Sequence, residues 1–477
     1  MPSSTCLRGL SQLSLNSTGR SPIASRSLLL APKVSCFSTS SAHYKQPGPK
    51  KGNMTTAPKR GTRTLNIKKH KKALTSDASK RLAPGEARAL RKRIVLTNNN
   101  ALEVRGLEDL SAGNALKAAN LGQMRGIPDD AVDALRAVDA FKPRQGWNLF
   151  WRPAVLMRKE TIQLSELFTE VENATKEQTK KTVRRVVFGD GLSGKSTLLL
   201  QGITMGFLRK WTIVNLPDAH DIVNAHTEYA PLPGSQPTQY VQNTYTSTLL
   251  SQILKANTQF FENTKVSMNH SLPVPLSSTS TLKQLTQLGV ADPEVSWSIF
   301  VALWKELTQP GRPPIIFAID GLQHIMRDSE YLSAEVKPIH AHDLAIIRHF
   351  INYLSGTETL TNGGLVLAAT SGAKSPPNYA LDYSIKSALA RQESPEHLPL
   401  WDPYQKADLR IVEALKDVDV LKVSNLSKEE ARSIMEYYAQ SGMLRAKVDH
   451  KLVTEKWSLA GMGNIGELER VTVRMRA

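Results

Sequence analysis

Between residues 145 and 425, short apolar runs alternate with longer stretches in which apolar positions recur every three or four residues. The short runs fall at 183–188, 212–216, 315–319 and 364–369. Runs of this length, rich in Val, Ile and Leu, read as strands buried on both faces. The longer stretches include 197–210, then 297–307, where Trp297, Phe300, Val301 and Trp304 share a face. In 343–354 the shared face holds Leu344, Ile347, Ile351 and Leu354. That spacing follows the helical period. Strands separated by helices predict an α/β fold, a parallel sheet covered by helices. The stretch at about 256–294 is polar, with Pro273 and Pro275, and reads as an insertion.

Beyond 425 the pattern becomes purely helical. Ser427 and Glu430 form a capping-box signature, followed by Ala431, Ile434, Met435 and Tyr438 at helical spacing. A further helix is predicted near Asn464, after Gly461 and Gly463. Residues 426–477 therefore read as a small C-terminal helical domain behind a main domain at 146–425. No run approaches the 18 apolar residues that suggest a membrane span.

Charge adds a second level of organisation. The 477 residues carry a formal net charge of +18, and the first 76 hold 14 Lys or Arg and no acid at all. Residues 1–37 are rich in Ser, Leu and Arg, the composition of a mitochondrial presequence. Residues 38–145 read as a basic N-terminal extension. Its cations Lys68, Lys69, Lys71 and Lys72, then Arg91, Lys92 and Arg93, suit the phosphates of RNA, whose condensed counterions they would release. Both cysteines, Cys6 and Cys36, lie in the presequence. The body of the chain thus has no thiol for a disulfide, a zinc site or a cysteine nucleophile.

The chemistry is concentrated after the first predicted strand. Gly189-Asp190-Gly191-Leu192-Ser193-Gly194-Lys195-Ser196 fits the phosphate-binding loop G-x-x-x-x-G-K-[ST], with Thr197 opening the next helix. The glycines let backbone N–H groups turn toward phosphates, and the helix adds its positive N-terminal end. Lys195 would reach the terminal phosphates and Ser196 would hold Mg²⁺. The 315–319 strand ends in Asp320, an acid suited to the same metal. Gly321-Leu322-Gln323-His324 follows, with no carboxylate close by to polarise an attacking water. Gln323 or His324 could orient one, or simply pack. Thr370 and Ser371 could sense a γ-phosphate or cap a strand end. These residues read phosphates and leave the base open: GTP, GDP or ATP.

These motifs are similar to those of the death-associated-protein family of mitochondrial small-subunit ribosomal proteins, in a fungal form. The resemblance runs from about Trp147 onward. It rests on Leu156-Met157-Arg158-Lys159, the run from Val186 to Ser196, and the segment from Trp211 to His220 with its Pro217-Asp218-Ala219-His220 turn. Ile319-Asp320-Gly321, Gly363-Gly364-Leu365-Val366 and the segment from Gly463 to Val471 complete it. The resemblance implies a P-loop NTPase domain of AAA/STAND type with a C-terminal helical domain, in the head of the mitochondrial small ribosomal subunit. It implies bound GTP or GDP with Mg²⁺, with Gly189, Gly191, Leu192, Ser193, Gly194, Lys195, Ser196 and Thr197 at the phosphates and Ser196 and Asp320 near the metal. Arg158 would approach the base or end a strand in solvent. Where related ATPases carry an arginine late in the small domain, this chain has Gly466, which speaks against robust turnover. The expected partners are small-subunit rRNA and neighbouring ribosomal proteins in the matrix, with no homo-oligomer. The alternative reading is a matrix NTPase switch that moves the C-terminal domain.

Overall fold

The computed structural model describes residues 94–474, apart from 144, 177–179, 276, 278–279, 372–376, 394–395, 397 and 406. The presequence and the cations from Lys68 to Arg93 lie outside the described residues. Five strands form one parallel sheet: β1 (Thr182–Gly189), β2 (Thr212–Leu216), β3 (Ile315–Asp320), β4 (Gly364–Ala369) and β5 (Asp419–Val423). Their spatial order is β5-β1-β4-β3-β2. The strand carrying the glycine-rich loop and the strand ending in Asp320 are therefore separated by β4. Both still deliver their C-terminal ends to the same edge, because all the strands point one way.

Every residue of β2, β3 and β4 is buried, as expected for strands covered on both faces. Their side chains alternate between two cores. Phe317, Ile319, Val366 and Ala368 face one, while Ile316, Ala318, Leu365 and Leu367 face the other. The first core is closed by α4 (Asn243–Ala256), α5 (Leu282–Ala291), α6 (Ser296–Leu307), α7 (Ala345–Ser355) and α8 (Tyr379–Glu393). The second is closed by α1 (Asp129–Ala137), α2 (Lys159–Lys176) and α3 (Lys195–Leu208).

Two stretches differ from the sequence reading. Residues 94–145, grouped there with the basic extension, supply Leu96, Leu110, Ile127, Leu135 and Phe141 to the second core. Ala131, Val132, Leu135 and Val138 fall on one helical face, so the apolar period outweighs the charge of the neighbouring segment. The 256–294 stretch, read as a polar insertion, contains α5, which buries Leu282 and Leu285 in the first core. Its polar middle is pinned by Glu306, a buried carboxylate that accepts from the amides of Ser267 (3.0 Å) and Met268 (2.7 Å).

The C-terminal unit packs α9 (Lys428–Gln440), α10 (His450–Leu459) and α11 (Ile465–Thr472) around Leu426, Ile434, Met435 and Leu468. The capping box at α9 is formed: Ser427 Oγ accepts from the Glu430 amide (3.1 Å), and Glu430 Oε2 accepts from the Ser427 amide (2.8 Å). Leu156 belongs to this core as well. It comes from a short strand, Ala154–Leu156, paired antiparallel with Met124–Gly126, so the helical unit is joined to the segment preceding α2. No described helix is long and apolar enough to cross a membrane.

Candidate functional site

The loop from Gly189 to Lys195 joins β1 to α3 at the C-terminal edge of the sheet, where open α/β folds place their ligands. Gly194 caps α3 with φ at +95°, a left-handed conformation that glycine adopts without a Cβ penalty. Gly189 has a different reason for being glycine. A Cβ there would lie 2.6 Å from the Val423 carbonyl at the end of β5.

Every loop carbonyl from 189 to 193 has a donor. Lys195 Nζ donates to the carbonyls of Gly189 (2.8 Å) and Asp190 (2.5 Å). Asn464 Nδ2 donates to Gly191 O (2.7 Å), the Gly466 amide to Leu192 O (3.1 Å), and Arg158 Nη1 to Ser193 O (2.9 Å). In a trans peptide the N–H points opposite to the carbonyl before it. Gly191 O and Ser193 O, tied to Asn464 and Arg158, therefore leave the amides of Leu192 and Gly194 on the opposite side of the loop. Among the described residues, the amides of Gly191, Leu192, Gly194, Lys195, Ser196 and Thr197 have no protein acceptor. Together with the N-terminal end of α3, they make a cradle for an anion.

Arg158 departs from both positions expected for it. It is buried, with 7% of its surface exposed, and braces the loop from behind. Nη2 donates to the Ser424 carbonyl just past β5, and Nε lies 3.5 Å from Glu160. Glu160 in turn accepts from the Ser424 amide (2.9 Å) and hydroxyl (2.5 Å). Burial would raise the Glu160 carboxyl, but Arg158 and Ser424 outweigh it and hold it below the usual range.

The two metal candidates meet across the cleft. Burial raises the Asp320 carboxyl, while the Lys142 ammonium and the Ser196 hydroxyl pull it back. Lys142 Nζ lies 3.5 Å from Asp320 Oδ2 and donates to the Pro217 carbonyl. Asp320 Oδ1 is buried without a hydrogen-bond partner. A carboxylate oxygen and a hydroxyl make two hard donors, the partial set with which Mg²⁺ is held when phosphates and water complete its shell. Burial likewise lowers the Lys195 ammonium, with Asp190 and Asp320 opposing. Lys142 carried no motif in the sequence and was missed.

The groups considered for orienting a water are already engaged. Gln323 Oε1 accepts from the Ser371 amide (2.8 Å), and Gln323 Nε2 donates to the Ser371 carbonyl. His324 packs edge-on against His220, with ring centroids 5.0 Å apart. Thr370 Oγ1 donates back to Val187 O (3.2 Å), which closes the strand end.

From the loop a cleft of about 760 Å³ runs toward the C-terminal unit. That volume suits a ligand of nucleotide size. One end is polar, with Lys195, Ser196 and Asp320; the other is walled by Trp147, Phe150, Leu156, Ile434 and Tyr438, with Glu469 beside them.

Comparison with known proteins agrees with the motifs. The family model for mitochondrial ribosomal death-associated protein 3 matches residues 155–471. The chain is 41% identical over 414 residues to small ribosomal subunit protein mS29 of Neurospora crassa, covering 86% of this chain and 87% of that one. Identity to the Schizosaccharomyces pombe protein of the same name is 24% over 340 residues, 69% of this chain and 67% of that one. Among solved structures, the Aeropyrum pernix ORC1 protein in complex with DNA aligns with 66% of this chain and 58% of its own. Its TM-score of 0.30 and 13% identity are too low to argue from. The family match spans the sheet, the loop and the helical unit, and with the Neurospora identity it makes this chain a member of the mitochondrial ribosomal death-associated protein 3 family.

Proposed function

We propose that the protein is a structural component of the small subunit of the mitochondrial ribosome, and that a purine nucleotide, GTP or GDP with Mg²⁺, serves it as a structural ligand. The family match and the Neurospora relative support the first part. One observation carries the second: the carbonyls of residues 189–193 all have donors, while the amides of Gly191, Leu192, Gly194, Lys195, Ser196 and Thr197 have no protein acceptor among the described residues. Lys195 of α3 ties the first two, Arg158 from the segment leading into α2 ties the last, and Asn464 and Gly466 at the start of α11 tie the two between. A phosphate chain in the cradle would thus fasten the C-terminal unit to the sheet.

Lys195 and the amides of residues 191–197 would hold the phosphates, and Ser196 with Asp320 would hold Mg²⁺. Bound there, the metal would neutralise phosphate charge. The position of β4 between the loop strand and the Asp320 strand, with a helical unit over the cleft, supports the AAA/STAND reading. The basic segment through Lys68, Lys69, Lys71, Lys72, Arg91, Lys92 and Arg93 is proposed to lie on small-subunit rRNA.

Because α11 touches the loop directly, a nucleotide switch that moves the C-terminal unit is the second reading. One experiment separates the two. Full-length protein is melted with and without GDP and Mg²⁺, beside Lys195→Ala, and phosphate release is followed in a single turnover of GTP. A structural ligand at a hundred times its Kd stabilises by about 2.7 kcal/mol through mass action. The wild type should gain several degrees, the variant should gain none, and GTP should persist for hours. Equal melting in both proteins would remove the nucleotide reading, and prompt release abolished by Asp320→Asn would favour the switch.

A further inference from the structure

Lys142 enters the cleft from outside every sequence motif, on the segment between α1 and the short strand Ala154–Leu156. Its backbone there is well anchored. Phe141 beside it is buried in the second core and meets Trp147 edge-on, with ring centroids 5.3 Å apart. Gln145 Oε1 accepts from the Lys142 amide (2.9 Å) and from Trp147 Nε1 (2.5 Å), while Gln145 Nε2 donates to Thr197 Oγ1 (3.4 Å) in the first turn of α3. The segment that carries Lys142 is thus tied to the helix that follows the glycine-rich loop.

The ammonium is held as well. It donates to the Pro217 carbonyl just past β2 and lies 3.5 Å from Asp320 Oδ2 at the end of β3. An ammonium has three donors, so one remains for a ligand after Pro217 and Asp320 are served. The metal set around Asp320 is meagre by comparison. Among the described residues no three His, Cys, Asp or Glu side chains gather as a metal cluster. Asp218 also lines the cleft, but it caps the short helix Ala219–Val223 by accepting from the His220 amide (3.0 Å). Mg²⁺ gives up its waters reluctantly and demands near-octahedral geometry. A fixed positive charge beside its carboxylate ligand further opposes its approach.

We propose that Lys142 is the built-in counter-charge of this site: its ammonium stands in for the metal at Asp320, so that a nucleoside diphosphate is held without Mg²⁺, and the metal enters only by displacing it. This rests on the reading of the cleft as a nucleotide site. A phosphate brought close to Asp320 meets a carboxylate of its own sign, and a cation between the two removes the repulsion. Here that cation belongs to the chain. Its local concentration does not vary with the supply of free metal, and its bond to Pro217 fixes where it stands. The position of Lys142 therefore sets how far the site depends on Mg²⁺.

The test is an equilibrium titration of the full-length protein with GDP, in excess Mg²⁺ and in EDTA, beside Lys142→Met and Lys195→Ala. Methionine keeps most of the lysine stem and removes the charge. The wild type should bind GDP about equally well in both buffers. A charge-assisted hydrogen bond is worth roughly tenfold to a hundredfold in affinity, so Lys142→Met should lose that much in EDTA. Mg²⁺ should restore most of the loss, because the variant leaves Asp320 open to the metal. A loss of packing alone would not respond to Mg²⁺. Wild-type binding that collapses in EDTA would overturn the assignment, as would a Lys142→Met affinity unchanged in EDTA or a loss that Mg²⁺ does not restore. Each of these leaves the nucleotide site standing. Wild-type binding no stronger than that of Lys195→Ala in either buffer would remove both. The wild-type comparison needs no variant, so poor folding of Lys142→Met would not protect the proposal.

Discussion

Gly466 illustrates how a residue's meaning depends on what it touches. Read along the chain, it occupies a position where a basic side chain would be expected and is simply lacking one. In the structure its amide is bonded to Leu192 O, and a Cβ would sit 2.7 Å from the Leu192 Cβ. No side chain fits while the loop contact is in place. Gly466→Ala should cost about 1–3 kcal/mol, the usual range for overpacking. Gly191→Ala is the matched control. Its Cβ would meet nothing within 4 Å, so nucleotide-free stability should change by about 0.5 kcal/mol or less. Chemical denaturation of both variants without nucleotide checks the contrast. The loop from Gly189 to Ser196 between a strand and a helix was legible from spacing alone, because the motif is local. Arg158 and Asn464 were not, since their loop partners lie 35 and 273 positions away. Nothing in a linear pattern announces a contact across that separation.

Among elements, three of the four strands read from the sequence are buried along their whole length, where nearly every residue must be apolar, and the fourth, β1, still buries Val183, Val186 and Val187. The fifth, β5, forms an edge of the sheet and keeps Lys422 exposed within five residues, so it has no continuous apolar run to detect. Yet β5 presses on Gly189 and carries the chain to Ser424, the anchor of Arg158. The turn before α7 holds a further element-level feature. His342 is buried there, its ring edge-on to His340 at 4.6 Å, with Asp408, Arg410 and Arg348 around the pair. Burial, then the neighbouring His340, Arg348 and Arg410, pushes His342 down to about 3. Burial also lowers His340, against the pull of Asp408. The folded state thus binds fewer protons than the unfolded chain, whose histidines titrate near 6.5. The stability from keeping His342 neutral is complete above about pH 6.5 and is lost as pH falls toward 3. The loss approaches 1.4 kcal/mol per pH unit for one histidine. Urea midpoints at pH 7 and pH 5 should show this fall, and His342→Phe should flatten it.

At the scale of the whole molecule, the contacts between the sheet domain and the helical unit among the described residues include the short antiparallel strand pair, Phe150 against Tyr438, and the loop that bears the glycine-rich motif. The main domain was visible in the sequence because strand and helix periods differ. Its joint with the C-terminal unit was not, because it is made of a three-residue strand pair, a few apolar contacts such as Phe150 on Tyr438, and single hydrogen bonds between positions far apart in the chain. A chain ending at residue 463 would lose the donors to Gly191 O and Leu192 O while retaining the entire motif from Gly189 to Ser196. Such a truncation should bind GDP at least tenfold more weakly than the full-length protein, measured by equilibrium titration.

The loop carbonyls are thus satisfied by groups from widely separated stretches of the chain, and Asn464 follows Gly191 by 273 residues. During synthesis or import, the glycine-rich segment emerges long before the residues that hold it open. On the proposed nucleotide reading, uptake would consequently work as a completion check. A chain that has failed to finish, or to close its final helices, carries the motif but lacks the donors to Gly191 O and Leu192 O, and only the completed molecule would lock a ligand in.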